Sequence, residues 1–183
     1  MNKTSIILVL TLMSVFLLGA DPSRVESVVA ELENGAGAGR KFEILEDDLN
    51  AYLIAELKKS EHPAVQDVAV QFHEGSFTTR LKVDMDKVEV KSQSMTAGLL
   101  ASLMTGVQTI QVEGTLETKN GTGTYVTRKA WLNDVPVPAT LVDSLLSQIG
   151  RRNEPPFDPT APFKMPYKIK EVVFKSGRVQ LFT

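Results

Sequence analysis

Two histidines, His62 and His73, are the first residues to weigh for chemistry. With Glu61 or Glu74 beside them they could contribute to a metal site, but their spacing matches no zinc pattern. His62 precedes Pro63 in an expected loop, and His73 falls at a hairpin end, so both are expected on the surface. Asp47-Asp48 and Asp84-Asp86 are the paired carboxylates. The first pair suits the start of a helix. The second shares a strand face opposite Val83 and Met85 and is expected in water. Gly35-Ala-Gly-Ala-Gly39 has the composition of a phosphate cradle, yet it follows a helix and lacks the lysine of a P-loop, so it reads as a turn. No serine stands in a G-x-S-x-G elbow, and the chain has no cysteine, which excludes thiolate catalysis, thiolate metal sites and disulfides. These residues form no catalytic constellation. The expectation is a protein that is not an enzyme and that needs no metal or cofactor.

The elements that would carry such residues begin with an N-terminal segment of a different kind. In "MNKTSIILVLTLMSVFLLGADPS" the only charge is Lys3, and an apolar run from Ile6 to Leu18 leads to Gly19-Ala20. This order is that of a signal peptide with a small-residue exit, although Leu18 is large for its place. Residues 1–20 are assigned as the signal peptide and residues 21–183 as one domain. The alternative is an uncleaved anchor, for which the run is short, since a spanning helix wants roughly 20 apolar residues. Export to a periplasm or to the medium follows from the first assignment.

The formal charge is −2, and nucleic acid is not an expected partner, because such proteins carry a basic patch or stripe. Charge is uneven. Residues 150–183 hold seven Lys/Arg against three Asp/Glu, and residues 21–149 hold twelve against nineteen. A basic end of this kind can lean on anionic lipid, at about 1 kcal/mol per cation near the surface. The other reading is that these cations solvate strand faces.

Hydrophobic spacing gives the remaining elements. Val25, Val28, Val29 and Leu32 mark a helix that the Gly35–Gly39 run stops. "KFEIL" is a short strand. In "EDDLNAYLIAELKKS" the acidic start and basic end suit a helix dipole, with Leu49, Leu53 and Leu57 one turn apart. "VQDVAVQFHEGSFTTRLKVDMDKVEV" alternates as a hairpin around Glu74-Gly75-Ser76, and its phase slips near Asp86-Lys87, which predicts a bulge. "SMTAGLLASLMTG" has no charge and reads as a helix that is apolar nearly all round. A second hairpin turns at Asn120-Gly121, with Ile110, Val112 and Leu116 on one face and Val126, Ala130 and Leu132 on the return face. Asn120-Gly121-Thr122 also matches a glycosylation acceptor and is read as a turn. Pro136 and Pro138 end the strand and open a helix striped with Leu141, Val142, Leu145, Leu146 and Ile149. A connector with five of the nine prolines follows, and "YKIKEVVFKSGRVQLF" closes the chain as a third hairpin about Ser176-Gly177. The predicted class is α+β, with amphipathic helices along the concave face of a curved antiparallel sheet.

Apolar stripes on helices usually fill a core. A long antiparallel sheet wrapped around them can instead leave a cavity for lipid tails, each buried methylene contributing about 0.8 kcal/mol. Four stretches, in order, resemble the LmeA-like phospholipid-binding family and the YceB-like proteins, of the tubular lipid-binding superfamily with its SMP and BPI-type domains. They are "ILEDDLNAYL", "VQDVAVQFHEGSFTTRLKVDM", "LNDVPVPATLVDSLL" and "MPYKIKEVVFKSGRVQLF", which together span about Lys41 to Phe182. The chain departs from that pattern at Asn133-Asp134, where glycine often stands, at Pro166-Tyr167-Lys168, where Pro-x-Gly is frequent, and in having no cysteine to lipidate.

The resemblance implies a half-tube, a strongly bent sheet around a helix with a lipid groove between. It implies non-catalytic binding or carriage of a phospholipid or another long apolar ligand in the bacterial envelope. Under it, Leu141, Leu145, Leu146 and Ile149 line or close the groove, Leu49, Leu53 and Leu57 face them, and Leu99, Leu100, Leu103 and Met104 form a lip. Plain core is the other reading of each. A second function class also stands, an envelope assembly module whose apolar helices dock a partner protein.

Overall fold

A computed structural model of the chain describes residues 20–35, 39–59, 64–87, 105–150, 158 and 161–183. Helix α1 (Pro22–Glu33) starts at Asp21, whose carboxylate accepts from the Ser23 amide, with Pro22 in the first turn. Both features favour a helix start. Strand β1 (Lys41–Leu45) runs straight into α2 (Glu46–Lys59). The first hairpin is β2 (Val65–His73) and β3 (Ser76–Asp84), turning at Glu74-Gly75. A 3-10 turn, Met85–Lys87, ends it. The expected bulge at Asp86-Lys87 is therefore a strand end, and Val88 and Val90 lie outside the described residues. So does the apolar stretch from 94 to 104.

The second hairpin is β4 (Val107–Lys119) and β5 (Thr122–Leu132). Its turn residues Asn120 and Gly121 have φ of 51° and 78°, the pair of positive angles that a two-residue turn of the hairpin hand requires. Val-Pro-Val was expected to end this strand. It forms β6 (Val135–Val137) instead, an edge strand paired to β5, reached through Asn133 and Asp134 at φ of 49° and 65°. Proline is tolerated there because an edge strand has one side with no ladder to complete. Helix α3 (Ala139–Gly150) follows, then β7 (Phe163–Lys164), a 3-10 turn at Pro166–Lys168, and the closing hairpin β8 (Glu171–Lys175) and β9 (Arg178–Phe182).

The class is α+β with open antiparallel sheets. There are two of them among the described residues, where one wrapped sheet was expected. The larger runs β2-β3-β4-β5-β6, with β7 also on β5, and the smaller runs β1-β9-β8. The smaller sheet closes over one end of the larger. The Val172 amide donates to Thr118 Oγ1 at 2.9 Å. The Gly75 amide reaches the Phe174 carbonyl at 3.2 Å, and the Gly177 amide the Phe72 carbonyl at 3.3 Å.

The core sits at that junction. Leu32, Phe42, Met165 and Ile169 form one buried cluster, and Phe72, Phe174 and Val179 another. Leu116, Val172 and Leu181 pack against both, which makes them one body. At the edge of the larger sheet, α2 lies along β2. Asn50 gives Nδ2 to the Val70 carbonyl at 2.8 Å and takes the Val70 amide on Oδ1 at 2.7 Å. Glu46 Oε2 accepts from the Phe72 amide at 2.6 Å. Two side chains of α2 thus occupy backbone groups that an edge strand would otherwise present to another chain.

Candidate site on the apolar sheet face

Strand register decides which side chains share a face of the larger sheet. Val68 pairs with Leu81, Leu81 with Ile110, and Ile110 with Leu132, while Thr79 pairs with Val112 and Val112 with Ala130. Alternation along each strand puts Val68, Val70, Phe72, Phe77, Leu81, Ile110, Val112 and Leu116 on one side. The other side carries Gln71, Arg80, Lys82, Glu113 and Lys129. It is laced by polar contacts such as Arg80 Nη2 to Gln111 Oε1 at 3.0 Å and Lys129 Nζ to Glu113 at 3.2 Å.

The apolar side is covered unevenly. At the end where the smaller sheet lies, Phe72 is buried at 4 % exposure and Phe174 at 8 %. Farther along, Val68, Leu81, Ile110, Val112 and Leu132 are all only half-buried, and none belongs to either buried cluster. Helix α2 packs on β2 at one margin, and α3 packs on β5 toward the other. Two strands, β3 and β4, separate the strands on which the helices rest. The resulting feature is an apolar floor bounded by two helices.

α3 is fixed to its margin by a polar bond as well as by packing. Thr127 Oγ1 donates to Asp143 Oδ1 at 2.6 Å, and Val142 and Ala130 are the buried apolar positions of the two elements. Tyr125 points to the same side and lies 5.9 Å from Phe77, ring centre to ring centre. It occupies the space beside Gly114, where an added Cβ would meet the ring at 2.6 Å. Burial pushes the Tyr125 phenol above its ordinary range, the Thr127 bond opposes this, and the Asp143 carboxylate adds to it. The phenol is therefore neutral at physiological pH, and this end of the floor bears no tyrosinate charge.

The residues expected to bind a ligand fare differently from one another. Leu49 packs against the Phe72–Phe174–Val179 cluster and is part of the core's surround. Leu53 and Leu57 are half-buried on α2, and Leu141 is half-buried on α3. Leu145, Leu146 and Ile149 belong to the second half of α3, and only their backbone is described. Leu99, Leu100, Leu103 and Met104 lie outside the described residues. The floor itself was missed as a site. Its signal was present, because the alternation of Val68, Leu81, Ile110 and Leu132 had already marked one face of each hairpin.

Val126 was expected to share that face with Ala130 and Leu132. It does not. The register of β4 and β5 shifts at Glu113/Gly114, the extra residue on β5 reverses the alternation, and Val126 turns outward at 40 % exposure. Asp48 also departs from expectation. It is buried at 4 % exposure, and it accepts from the backbone of Asp21 rather than only supporting the start of its own helix. Of the second acidic pair, Asp84 is half-buried against Lys87 and Asp86 accepts the Gly106 amide at 3.0 Å. His73 is half-buried and shares a hydrogen bond with Thr78. Among the described residues no three His, Asp or Glu side chains come together as a metal cluster.

Two clefts lie off this face. One, of about 460 Å³, opens between α1 and β1 beside Arg24, Ile44 and Asp48. The other, of about 620 Å³, follows the β4–β5 turn near Lys119 and Thr124. In the C-terminal region, Lys175 pairs with Glu74 at 3.1 Å and Arg178 with Glu43 at 3.7 Å. Part of that region's positive charge is therefore met within the fold. No described helix is long and apolar enough to cross a membrane. No family model and no curated protein matches the chain.

Proposed function

We propose that this protein binds or carries a phospholipid, or another ligand with a long apolar chain, and does so without catalysis. The supporting observation is the half-exposed apolar floor of Val68, Leu81, Ile110, Val112 and Leu132 between α2 and α3. Apolar area left facing water is costly, and covering it contributes roughly 25 cal/mol per Å². A lipid tail laid along β3 and β4 would cover it. Leu53, Leu57 and Leu141 would meet the tail from the margins. Leu145, Leu146 and Ile149 of α3 would extend that wall, and Leu99, Leu100, Leu103 and Met104 would supply the lip of a half-tube.

The resemblance to the LmeA-like and YceB-like proteins supports the same reading, with the bacterial envelope as the setting and the N-terminal segment as the means of export. The basic C-terminal region would bring the protein to anionic headgroups. The test is a charge placed on the floor. Leu81→Glu and Ile110→Glu sit at half-buried positions, so each variant is expected to keep its unfolding temperature within about 4 °C of the parent. Each is expected to lose at least tenfold in affinity for vesicle-derived phospholipid, a change of about 1.4 kcal/mol. Unchanged lipid uptake by both folded variants would refute the floor as the site. Binding of a partner protein that the same variants abolish, with no lipid taken up by the parent, would establish the docking module instead.

A further inference from the structure

The buried carboxylate of Asp48 has an unusual partner. Its Oδ1 accepts the backbone nitrogen of Asp21 at 2.7 Å, across 27 positions of sequence. Its Oδ2 faces Arg24 Nη1 at 3.4 Å. The side chain of Asp48 is 6 % exposed, whereas that of Arg24 is 51 % exposed. Arg24 is also shared, its Nε standing 3.9 Å from the Asp21 carboxylate. A carboxylate inside a fold needs close, well-placed counter-charge, because removing it from water is expensive. Here the nearest donor is a peptide N–H, and the nearest cation is half in solvent and divided between two acids.

The donor nitrogen belongs to the residue that sequence places directly after the small-residue exit of the signal peptide. Ala20 is exposed, and Asp21 has extended backbone, φ −114° and ψ 98°. Asp21 is at the same time the cap of α1, taking the Ser23 amide at 3.0 Å and the Ser23 hydroxyl at 2.6 Å. The position of its nitrogen is therefore fixed from both sides.

We propose that the Ala20–Asp21 bond is the processing site and that the new N-terminus completes the Asp48 site. Hydrolysis adds one water across the bond. Ala20 leaves as a carboxylate, and Asp21 retains its nitrogen as an ammonium group. That ammonium keeps the 2.7 Å contact and replaces a neutral donor on the carboxylate with a cationic one, so the bond becomes an ion pair. The pair then joins the start of α1 to the first turn of α2. Cleavage one residue earlier would leave an amide nitrogen there, and cleavage one residue later would remove the donor and the cap together. The inference is independent of what the protein binds.

The experiment uses the full 183-residue chain, expressed in an exporting bacterial host. The recovered protein is sequenced from its N-terminus, and the α-amine is titrated by NMR. The expected product begins at Asp21, and its α-amine titrates above about 9, against about 8 for an unperturbed α-amine. In folded Asp48→Asn the value should return to about 8. Because the titration of the parent stands alone, failure of that variant to fold leaves the proposal open to refutation. A product that begins elsewhere, an unprocessed chain, or a parent α-amine titrating near 8 each overturns it.

Discussion

Phe174→Ala is expected to lower the unfolding free energy by about 3–5 kcal/mol, the range for truncating a buried aromatic. For a chain of this length that is a fall of the melting temperature on the order of 10 °C. Phe174 is carried by β8 of the smaller sheet and reaches across to the larger one. Its ring centre is 4.9 Å from that of Phe77 and 5.8 Å from that of Phe72. Val179 shares its buried cluster, and Leu49 and Leu116 pack against that cluster. Removing the ring therefore opens a cavity where the two sheets meet, and neither sheet can relax into it without moving the other. Phe174→Leu refills much of the space and should recover more than half of the loss. Chemical denaturation of the three proteins checks the ranking. A loss below about 1 kcal/mol for the alanine variant would mean that the sheets are held together elsewhere.

The second large effect lies at the free edge of β2. Asn50→Leu conserves size but deletes both bonds to the Val70 backbone, 2.8 and 2.7 Å long. Each backbone group left without a partner costs about 1–3 kcal/mol, so a total loss of about 2–6 kcal/mol is expected. Asn50→Asp keeps the acceptor and loses the donor, and should fall between. Amide hydrogen exchange gives the local readout. Val70 should be protected in the parent and exchange far faster in Asn50→Leu. Equal protection in both would contradict the role given to Asn50 as the stand-in for a neighbouring strand. The same variant exposes an unpaired edge, and its solubility should fall accordingly.

Local signals in the sequence carried much of the fold. The turns at Gly75, Asn120-Gly121 and Ser176-Gly177 were legible because few residues adopt positive φ, and the strands beside them alternate cleanly. Helices α1 and α2 were legible from three- and four-residue spacing and from a glycine stop or charged ends. What stayed hidden depends on contacts between distant residues. Pairing of β1 with β9 joins Lys41 to Phe182, and nothing in "KFEIL" names its partner, so the division into two sheets could not be read. The bulge on β5 falls in the polar run Thr127-Arg128-Lys129, with no glycine to mark it, and this misplaced Val126. Val-Pro-Val-Pro looked like a strand end because its two prolines hid the Asn133-Asp134 turn into an edge strand.

The candidate site shows the same limit. Periodicity marked apolar stripes on α2 and α3 and an apolar face on each hairpin, Val126 being misplaced by the shift of register at Glu113/Gly114. It could not say that Leu49 would pack against a buried cluster while Leu81 and Ile110 would lie half-buried outside both clusters. That distinction depends on where the smaller sheet closes, which is again a pairing between distant parts of the chain. Asp48 was read as part of a helix start because Asp47 stands beside it, and its partner nitrogen is 27 residues away.

If the apolar floor is a lipid site, the protein should carry lipid when it is isolated, and its cargo can be measured directly. The chain would be purified natively from bacterial periplasm or membranes, extracted with organic solvent, and the extract analysed by mass spectrometry against protein concentration. Phospholipid, or another long-chain lipid, is expected at about one molecule per protein, and is expected to be lost from folded Leu81→Glu and Ile110→Glu. Folded parent protein that comes out empty, and that takes up no lipid from anionic vesicles, would contradict that expectation.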